Sequence, residues 1–429
     1  MLLIVLGYAM VATFMVVIMT NRLSAFVALL LVPIVFGLIA GHRADLAMMA
    51  ITGMVKLAPT AILLLCAVLY FGIMIDAGLF DPLVRRVIAA VGSDPMRVAI
   101  GTAIVALLVS LDGDGTTTVL VVVTAFLPLY RRLRMNPLII AVLLGSANST
   151  INIVPWGGPT GRVASALGVD ISAVFVPLIP TMVIGMVATL AFAWYLGRQE
   201  RDRLGIGSGT AEMPTGDLFG RESGTTRPRL FWFNLVLTIA VLAGAVSRVL
   251  PLPLVFVFAL AIALAVNYPR LQDQRARLAV HAPNALPIVL LIFAAGVFTG
   301  IFNGTGMLDA MAKGAVDAMP ASLGPWLAPV TAVLSAPLTF VLSTDAYYFG
   351  VVPVIAKTAA AYGVDPILIA RASLLGQPVH VLSPLVAAVY LVSGLLETDV
   401  GALQRFCLKW ALLLVSILIV SACLTRAIL

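Results

Sequence analysis

The chain has 429 residues, 62% hydrophobic and only 10% charged, with a mean hydropathy of +1.11. Soluble proteins carry about 25% charged and about 45–50% apolar residues, so a soluble domain of this length could not cover its surface with polar groups. The composition excludes a cytosolic enzyme, a disulfide scaffold, a disordered chain and a nucleic-acid binder, and leaves an all-α polytopic membrane protein. The net charge is +7, from 26 Lys and Arg against 19 Asp and Glu. In a membrane protein such an excess goes with cytoplasmic loops. Cys66, Cys407 and Cys423 stand in apolar runs, fit no metal or disulfide spacing, and read as packing residues.

Taken in chain order, the first run begins Met1-Leu-Leu-Ile-Val and is uncharged to Thr20. Without a basic start or a small-residue cleavage site, it reads as a first spanning helix rather than a signal peptide. Charge-free runs follow at about 24–41, 57–75, 98–111, 115–130, 135–161 and 171–197. The polar segment 198–229 opens on Arg198-Gln-Glu-Arg-Asp-Arg, turns Gly/Ser/Thr-rich, and reads as a linker. Runs resume at about 230–247, 249–269, 282–308, 318–344, 346–356, 372–396 and 410–425. The chain thus divides into a first half (1–197), a linker (198–229) and a second half (230–429).

The two halves resemble each other. Asp81 pairs with Asp309 at an offset of 228, and the pairs Asn136/Asp365, Pro155/Pro384 and Asp170/Asp399 all stand 229 apart. A nearly constant offset indicates an internal duplication. Four runs are too short to cross alone and flank polar tips, Asp112-Gly-Asp-Gly-Thr and Ser343-Thr-Asp. They read as re-entrant hairpins at about 98–130 and 325–357, tolerated at that depth where backbone lines a wet cavity. Each half then has five crossings plus one hairpin. An odd number of crossings makes the repeat inverted, as in secondary transporters. Basic residues crowd one side, including Arg85, Arg86, Arg131, Arg132 and the linker, so that side should be cytoplasmic and the N-terminus periplasmic.

An unpaired carboxylate at mid-membrane costs about 2.5–3.5 kcal/mol on insertion scales. Asp112, Asp114 and Asp345 have no basic neighbour in sequence, so they should face water, a cation, a proton or one another. The Asp-Gly-Asp-Gly stretch is not an EF-hand, because Val123 stands where the terminal Glu is needed. Thr116, Thr117 and Thr118 offer hydroxyls and helix-start N–H groups that suit an anion; they can also cap and pack a helix. Around 136–168, Asn148, Ser149, Thr150, Asn152 and Thr160 are neutral donors and acceptors, and Pro155, Gly157, Gly158 and Pro159 break the helix. The partner break, at about 366–396, holds Gln377, His380 and Ser383. Broken helices at mid-membrane bind ions and carboxylates. Ser343 and Thr344 at the second tip join this candidate site. His380 is a proton carrier, a metal ligand or a hydrogen-bonded structural residue. His42 and His281 read as interfacial, and Asp76 has no assigned role.

Three stretches resemble the citrate–divalent metal:proton symporter family: Phe71-Gly-Ile-Met-Ile-Asp-Ala-Gly-Leu-Phe-Asp, Ser110-Leu-Asp-Gly-Asp-Gly-Thr-Thr-Thr, and Trp156-Gly-Gly-Pro-Thr-Gly-Arg-Val-Ala-Ser-Ala-Leu-Gly-Val-Asp. The resemblance covers essentially the whole chain. It implies a homodimer in the bacterial inner membrane, with a scaffold and an elevator-type transport domain. It also implies uptake of citrate chelated to a divalent cation such as magnesium or calcium, together with protons, and no tightly bound cofactor. A chelated citrate carries a single negative charge, which neutral donors and helix ends can hold. No basic residue is expected in the core, where a free-citrate carrier would present Arg. Arg162 and Arg371 are the nearest candidates for that role, and otherwise mark the interface. On this reading Asp112, Asp114, Asp345 and His380 serve metal or proton coupling. A sodium- or proton-coupled carrier of free di- or tricarboxylates is the alternative; a membrane-embedded hydrolase on the same aspartates and a channel are weaker readings.

Overall fold

A computed structural model of the chain describes residues 2–113, 115–205 and 224–429. Asp114 and most of the expected linker lie outside the described residues. In chain order the helices of the first half are α1 (Leu2–Met19), α2 (Ala25–Ile39), α3 (Leu46–Ala77), α4 (Asp81–Val91), α5 (Pro95–Val109), α6 (Gly115–Leu133), α7 (Leu138–Ile151), α8 (Gly158–Leu167), α9 (Ile171–Phe175) and α10 (Ile179–Leu204). The second half runs α11 (Phe231–Ser247), α12 (Leu252–Asn267), α13 (Leu271–Gly304), α14 (Met307–Ala318), α15 (Leu327–Val341), α16 (Val352–Ala361), α17 (Pro366–Ser373), α18 (Gln377–His380), α19 (Ala387–Leu395) and α20 (Val400–Leu424). There is no strand among the described residues. Nine helical segments there are long and apolar enough to cross a membrane, as the all-α membrane reading requires.

Backbone conformation carries an offset close to that of the sequence. Asn21 and Arg248, Gly78 and Gly306, Arg134 and Gly363, and Gly168 and Glu397 all have positive φ, at separations of 227 to 229 residues. Left-handed residues end helices, so these pairs mark corresponding helix ends. Asp170 accepts from the Ala173 N–H at 3.0 Å, and Asp399, 229 residues on, caps α20 through the Ala402 N–H at 3.0 Å.

The longest helices, α3 and α13, cross antiparallel: Met49 meets Gly304, Gly53 meets Gly296 and Gly300, and Gly72 meets His281. A Cβ on Gly53 would lie 1.9 Å from the Gly296 carbonyl oxygen, and one on Gly300 would lie 2.2 Å from that of Met49. Only glycine permits this backbone contact, the small-residue packing that membrane helices use where the hydrophobic effect is absent. With α2 and α12 these helices form one packed group, and α11 joins it through a buried amide pair between Asn234 and Asn267 at 2.8 and 2.9 Å. A second group is built from α5, α7, α10, α15, α17, α18 and α20.

Two helices escape a search for apolar runs. Both α4 and α14 are amphipathic, burying Val84, Ile88 and Val91, and Met307, Leu308 and Met311. Their charges, Asp81, Arg85 and Arg86, and Asp309, Lys313 and Asp317, interrupt the hydropathy while leaving the 3.6-residue pattern intact. The arms around the first tip are also longer than their apolar runs. With its terminal turn, the first spans Pro95–Asp112 and the second Gly115–Leu133, 18 and 19 residues. Length therefore does not separate a hairpin from two crossings.

The feet of these arms do bear on it. Arg201 donates from Nε to Asp94 at 2.8 Å and from Nη2 to the same carboxylate. Arg203 donates to the Arg134 carbonyl at 2.9 Å, and Glu200 accepts from the Asn136 N–H at 3.1 Å. The start of α5 and the end of α6 thus meet the same turn of α10. In the second half, Tyr362 packs on Gly324 and donates to the Val316 or Met319 carbonyl at 3.3 and 3.4 Å. Both feet of the α15–α16 arm pair therefore sit beside the end of α14.

Asp76 and His281 have partners that the sequence did not suggest. Asp76 is buried and accepts from Arg277 at 3.3 Å, and its Oδ2 lies 2.7 Å from His281 Nε2. The triad ties α3 to α13.

Candidate functional site

A cavity of about 330 Å³ lies where the two tips and the two breaks converge, lined by Gly115, Thr116, Asn148, Asn152, Arg162, Thr344, Gln377 and His380 among others. Each side chain arrives by an identifiable local cause. Helix α7 stops at Ile151, and the chain turns through Asn152–Gly157 before α8 starts at Gly158. A Cβ on Gly157 would stand 2.1 Å from the Asn152 carbonyl oxygen, so the turn needs glycine there. Pro159 occupies the first turn of α8, where its missing N–H costs nothing. Trp156 locks the break: its indole N–H donates to the Leu111 carbonyl at 2.8 Å, and its ring packs at 5.2 Å on both Phe71 and Phe256. The first tip, the first break and the α3–α12 group meet at this one side chain.

Within the cavity wall, Asn152 donates to the Asn148 side-chain oxygen at 2.7 Å, which holds the two amides side by side. Gly115 comes so near Asn148 that a Cβ would lie 3.2 Å from its amide nitrogen. Across the cavity, His380 Nδ1 lies 2.7 Å from the Thr339 carbonyl, which can only accept, so the Nδ1 carries the proton. In the neutral ring Nε2 then accepts from the Thr344 hydroxyl at 2.9 Å. Gln377 donates to the Tyr348 hydroxyl at 2.9 Å. The stretch Ala346–Val351 is a π-helical turn, a local widening found often at functional sites.

The expectation of a core without basic residues is wrong. Arg162, on α8, donates from Nε to Asp345 Oδ1 at 2.7 Å across 183 residues of sequence, and it lines the cavity. The guanidinium stood at the edge of an apolar run in sequence, which a linear reading takes for the membrane surface. The broken helix brings it inward instead. Arg371 does not line the cavity; it donates to the carbonyls of Ala173 and Ala427 at 2.8 and 3.0 Å.

Other expected residues are distributed unevenly. Asp112 is buried at the first tip and is not among the cavity residues. Thr118 is buried, and neither it nor Thr117 lines the cavity. Ser149 donates back to the Ser146 carbonyl at 3.2 Å, and Thr150 packs against Gly185 of α10. Thr160 donates to the Ile153 carbonyl at 3.0 Å, bracing the break. Ser383 donates to the Phe340 carbonyl at 2.7 Å, and Ser343 accepts from the Ala346 N–H at 3.2 Å. The hydroxyls of Ser149, Thr160 and Ser383 are spent on backbone carbonyls, and the polar lining of the cavity is left to Thr116, Thr344, Asn148, Asn152, Gln377, His380 and Arg162. Tyr348 and Trp156 support the site without a sequence signal beyond their neighbours.

The citrate transporter family model matches residues 2–376. A citrate transporter of Bacillus subtilis (strain 168) is 50% identical over 410 residues, covering 96% of each chain. From the same organism, a Mg(2+)/citrate complex secondary transporter is 46% identical over 432 residues, covering 100% of this chain and 99% of its own. Among solved structures, the YdaH transporter of Alcanivorax borkumensis matches with a TM-score of 0.60 at 17% identity, over 88% of this chain and 86% of its own. MtrF of Neisseria gonorrhoeae matches with a TM-score of 0.62 at 15% identity, over 88% and 83%. The solved structures agree in fold, and the curated relatives are transporters rather than enzymes. This chain belongs to the citrate transporter family.

Proposed function

We propose that this protein imports citrate as its complex with a divalent cation, coupled to inward movement of protons. The observation that carries the reading is the cavity at the two tips and two breaks, whose one guanidinium is already neutralised by Asp345. Such a site has little net charge to offer a free trianion. A complex with one negative charge matches the residual positive potential of the helix starts at Gly115 and Gly158. The relative named for the Mg(2+)/citrate complex supports the same cargo.

On this reading Thr116, Asn148, Asn152, Thr344 and Gln377 hold the ligand's oxygens. Thr117, Thr118, Ser149, Thr150, Gly157, Gly158, Thr160, Ser343 and Ser383 shape the tips and breaks. Protons are carried among Asp112, Asp114, Asp345 and His380. The neutral tautomer of His380 suits this, because a proton gained at Nε2 needs only a rotation of the Thr344 hydroxyl. A singly negative cargo is opposed by an inside-negative potential at about 2.3 kcal/mol per 100 mV, so at least two protons make uptake electrogenic inward. The matched helix ends and the antiparallel α3–α13 crossing support an inverted repeat. In this arrangement the α3–α13 group is the scaffold and the second group the moving elevator domain, with homodimers in the inner membrane, the N-terminus periplasmic and the 198–229 linker cytoplasmic.

Labelled citrate uptake into vesicles tests the cargo. Uptake should require magnesium or a similar cation and stop when a strong chelator is added. It should also stop when the pH gradient and the potential are both collapsed. Persistence with chelator favours the second reading, a carrier of free di- or tricarboxylates, to which the Arg162 guanidinium in the cavity lends support.

A further inference from the structure

The Arg162–Asp345 pair is open on both sides. Only Nε of Arg162 is engaged; neither terminal nitrogen has a hydrogen-bond partner among the described residues, and Nη1 lies over Gly158 at the start of α8. Asp345 uses Oδ1 alone. The side chains keep 23% and 18% of their surface, and Arg162 faces the cavity. Asp345 is not itself among the lining residues, but its neighbour Thr344 is. The pair therefore sets a guanidinium edge at the cavity and a partly exposed carboxylate oxygen beside it, each with unfilled capacity.

A surface with adjacent positive and negative groups is complementary to a ligand with the same two signs reversed. A divalent cation chelated by a carboxylate is such a ligand: its free carboxylate oxygens suit the planar donor edge of arginine, and its metal accepts a hard oxygen. Free citrate can satisfy the guanidinium only by bringing a second carboxylate against Asp345. Like charges at that range, partly shielded from water, disfavour binding. Selectivity achieved through a group that repels the wrong ligand is a recurring device in specific recognition.

We infer that Asp345, held against Arg162, is the specificity-determining residue that admits the metal–citrate complex and rejects the free anion. The inference rests on the cargo reading above and assigns its selectivity to one carboxylate. Removing the charge while keeping the acceptor should retain the contact with Arg162 and lose the discrimination.

The test is binding to the purified full-length protein by titration calorimetry. Magnesium citrate is compared with citrate in the presence of excess chelator. Wild-type protein should prefer the complex by at least tenfold. In Asp345→Asn that preference should fall at least tenfold, chiefly because free citrate binds more tightly. Asp345→Glu should keep the wild-type ratio. An Asn variant with the wild-type ratio overturns the inference and leaves the cargo reading standing; so does a Glu variant shifted as far as Asn. Wild-type protein without preference overturns the cargo reading, and this inference with it. Should Asp345→Asn not be recovered as folded protein, Arg162→Gln/Asp345→Asn removes both charges together. It should show the same collapse of the ratio, and a retained ratio overturns the inference.

Discussion

Asp94 shows how much one side chain at the membrane edge can carry. It caps α5 through the Met96 N–H at 3.0 Å and holds α10 through Arg201. Burial pushes its carboxyl up, but the hydrogen bonds from Arg201 and Met96 and the charges of Arg201 and Arg97 outweigh that and hold it below the ordinary carboxylate range. A carboxyl depressed on folding stabilises above its unfolded pKa and loses that contribution as pH falls through the folded value. Asp94→Asn should therefore cost on the order of 2 kcal/mol at neutral pH, from the lost charge-assisted bond and a weakened cap. The gap to wild type should close in acid, below the usual range for Asp. Thermal unfolding in detergent across pH checks both the size and the direction.

At the same scale, sequence reading named six of the seven described polar residues that line the cavity and misjudged its charge. Asn148, Asn152, Thr344, Gln377 and His380 were legible because polar groups in apolar runs are costly unless used. Arg162 stood only as a candidate beside Arg371, because nothing local announces a partner 183 residues away. Several threonines and serines were over-read: in a helix a hydroxyl can return to a nearby carbonyl, as Ser149 does, and Thr160 spends its own on the break at Ile153.

Among the elements, the α3–α13 crossing is the least tolerant of change. Gly53→Ala must separate two backbones that touch, since its Cβ would fall 1.9 Å from a carbonyl oxygen. The expected outcome is a markedly lower melting temperature or loss of folded protein. Gly41→Ala should cost less, as its Cβ would meet nothing within 4 Å and only its positive φ resists substitution. A thermal melt of the two variants side by side reads the difference. Helix breaks were legible from Pro and Gly, but α4 and α14 were not. Their charges lie on one face of a helix, and a hydropathy scan averages over faces.

For the whole molecule, the feet of α5 and α6 on one turn of α10 fix an expectation about sidedness. In a background without Cys66, Cys407 and Cys423, Arg97→Cys and Arg132→Cys should both react with a membrane-impermeant thiol reagent from the cytoplasmic face only. Arg43→Cys should react from the outside. Labelling of Arg97→Cys and Arg132→Cys from opposite faces would replace the hairpin with two crossings.

Arg162 has no counterpart: 229 residues later stands Leu391, on the corresponding helix α19. Asp345 does have one, Asp114 at an offset of 231. On the proposed repeat the two halves supply similar frames but unlike contents, and the cavity cannot be superposed on itself by exchanging them. For citrate this has a stereochemical meaning. Its two acetate arms are enantiotopic, equivalent in an achiral medium and distinguishable in a site built of L-residues. With a guanidinium supplied by one half alone, the proposed site tells them apart by charge as well as by shape: one arm beside Arg162, the other among neutral groups. A prochiral cargo held there would enter in a preferred orientation.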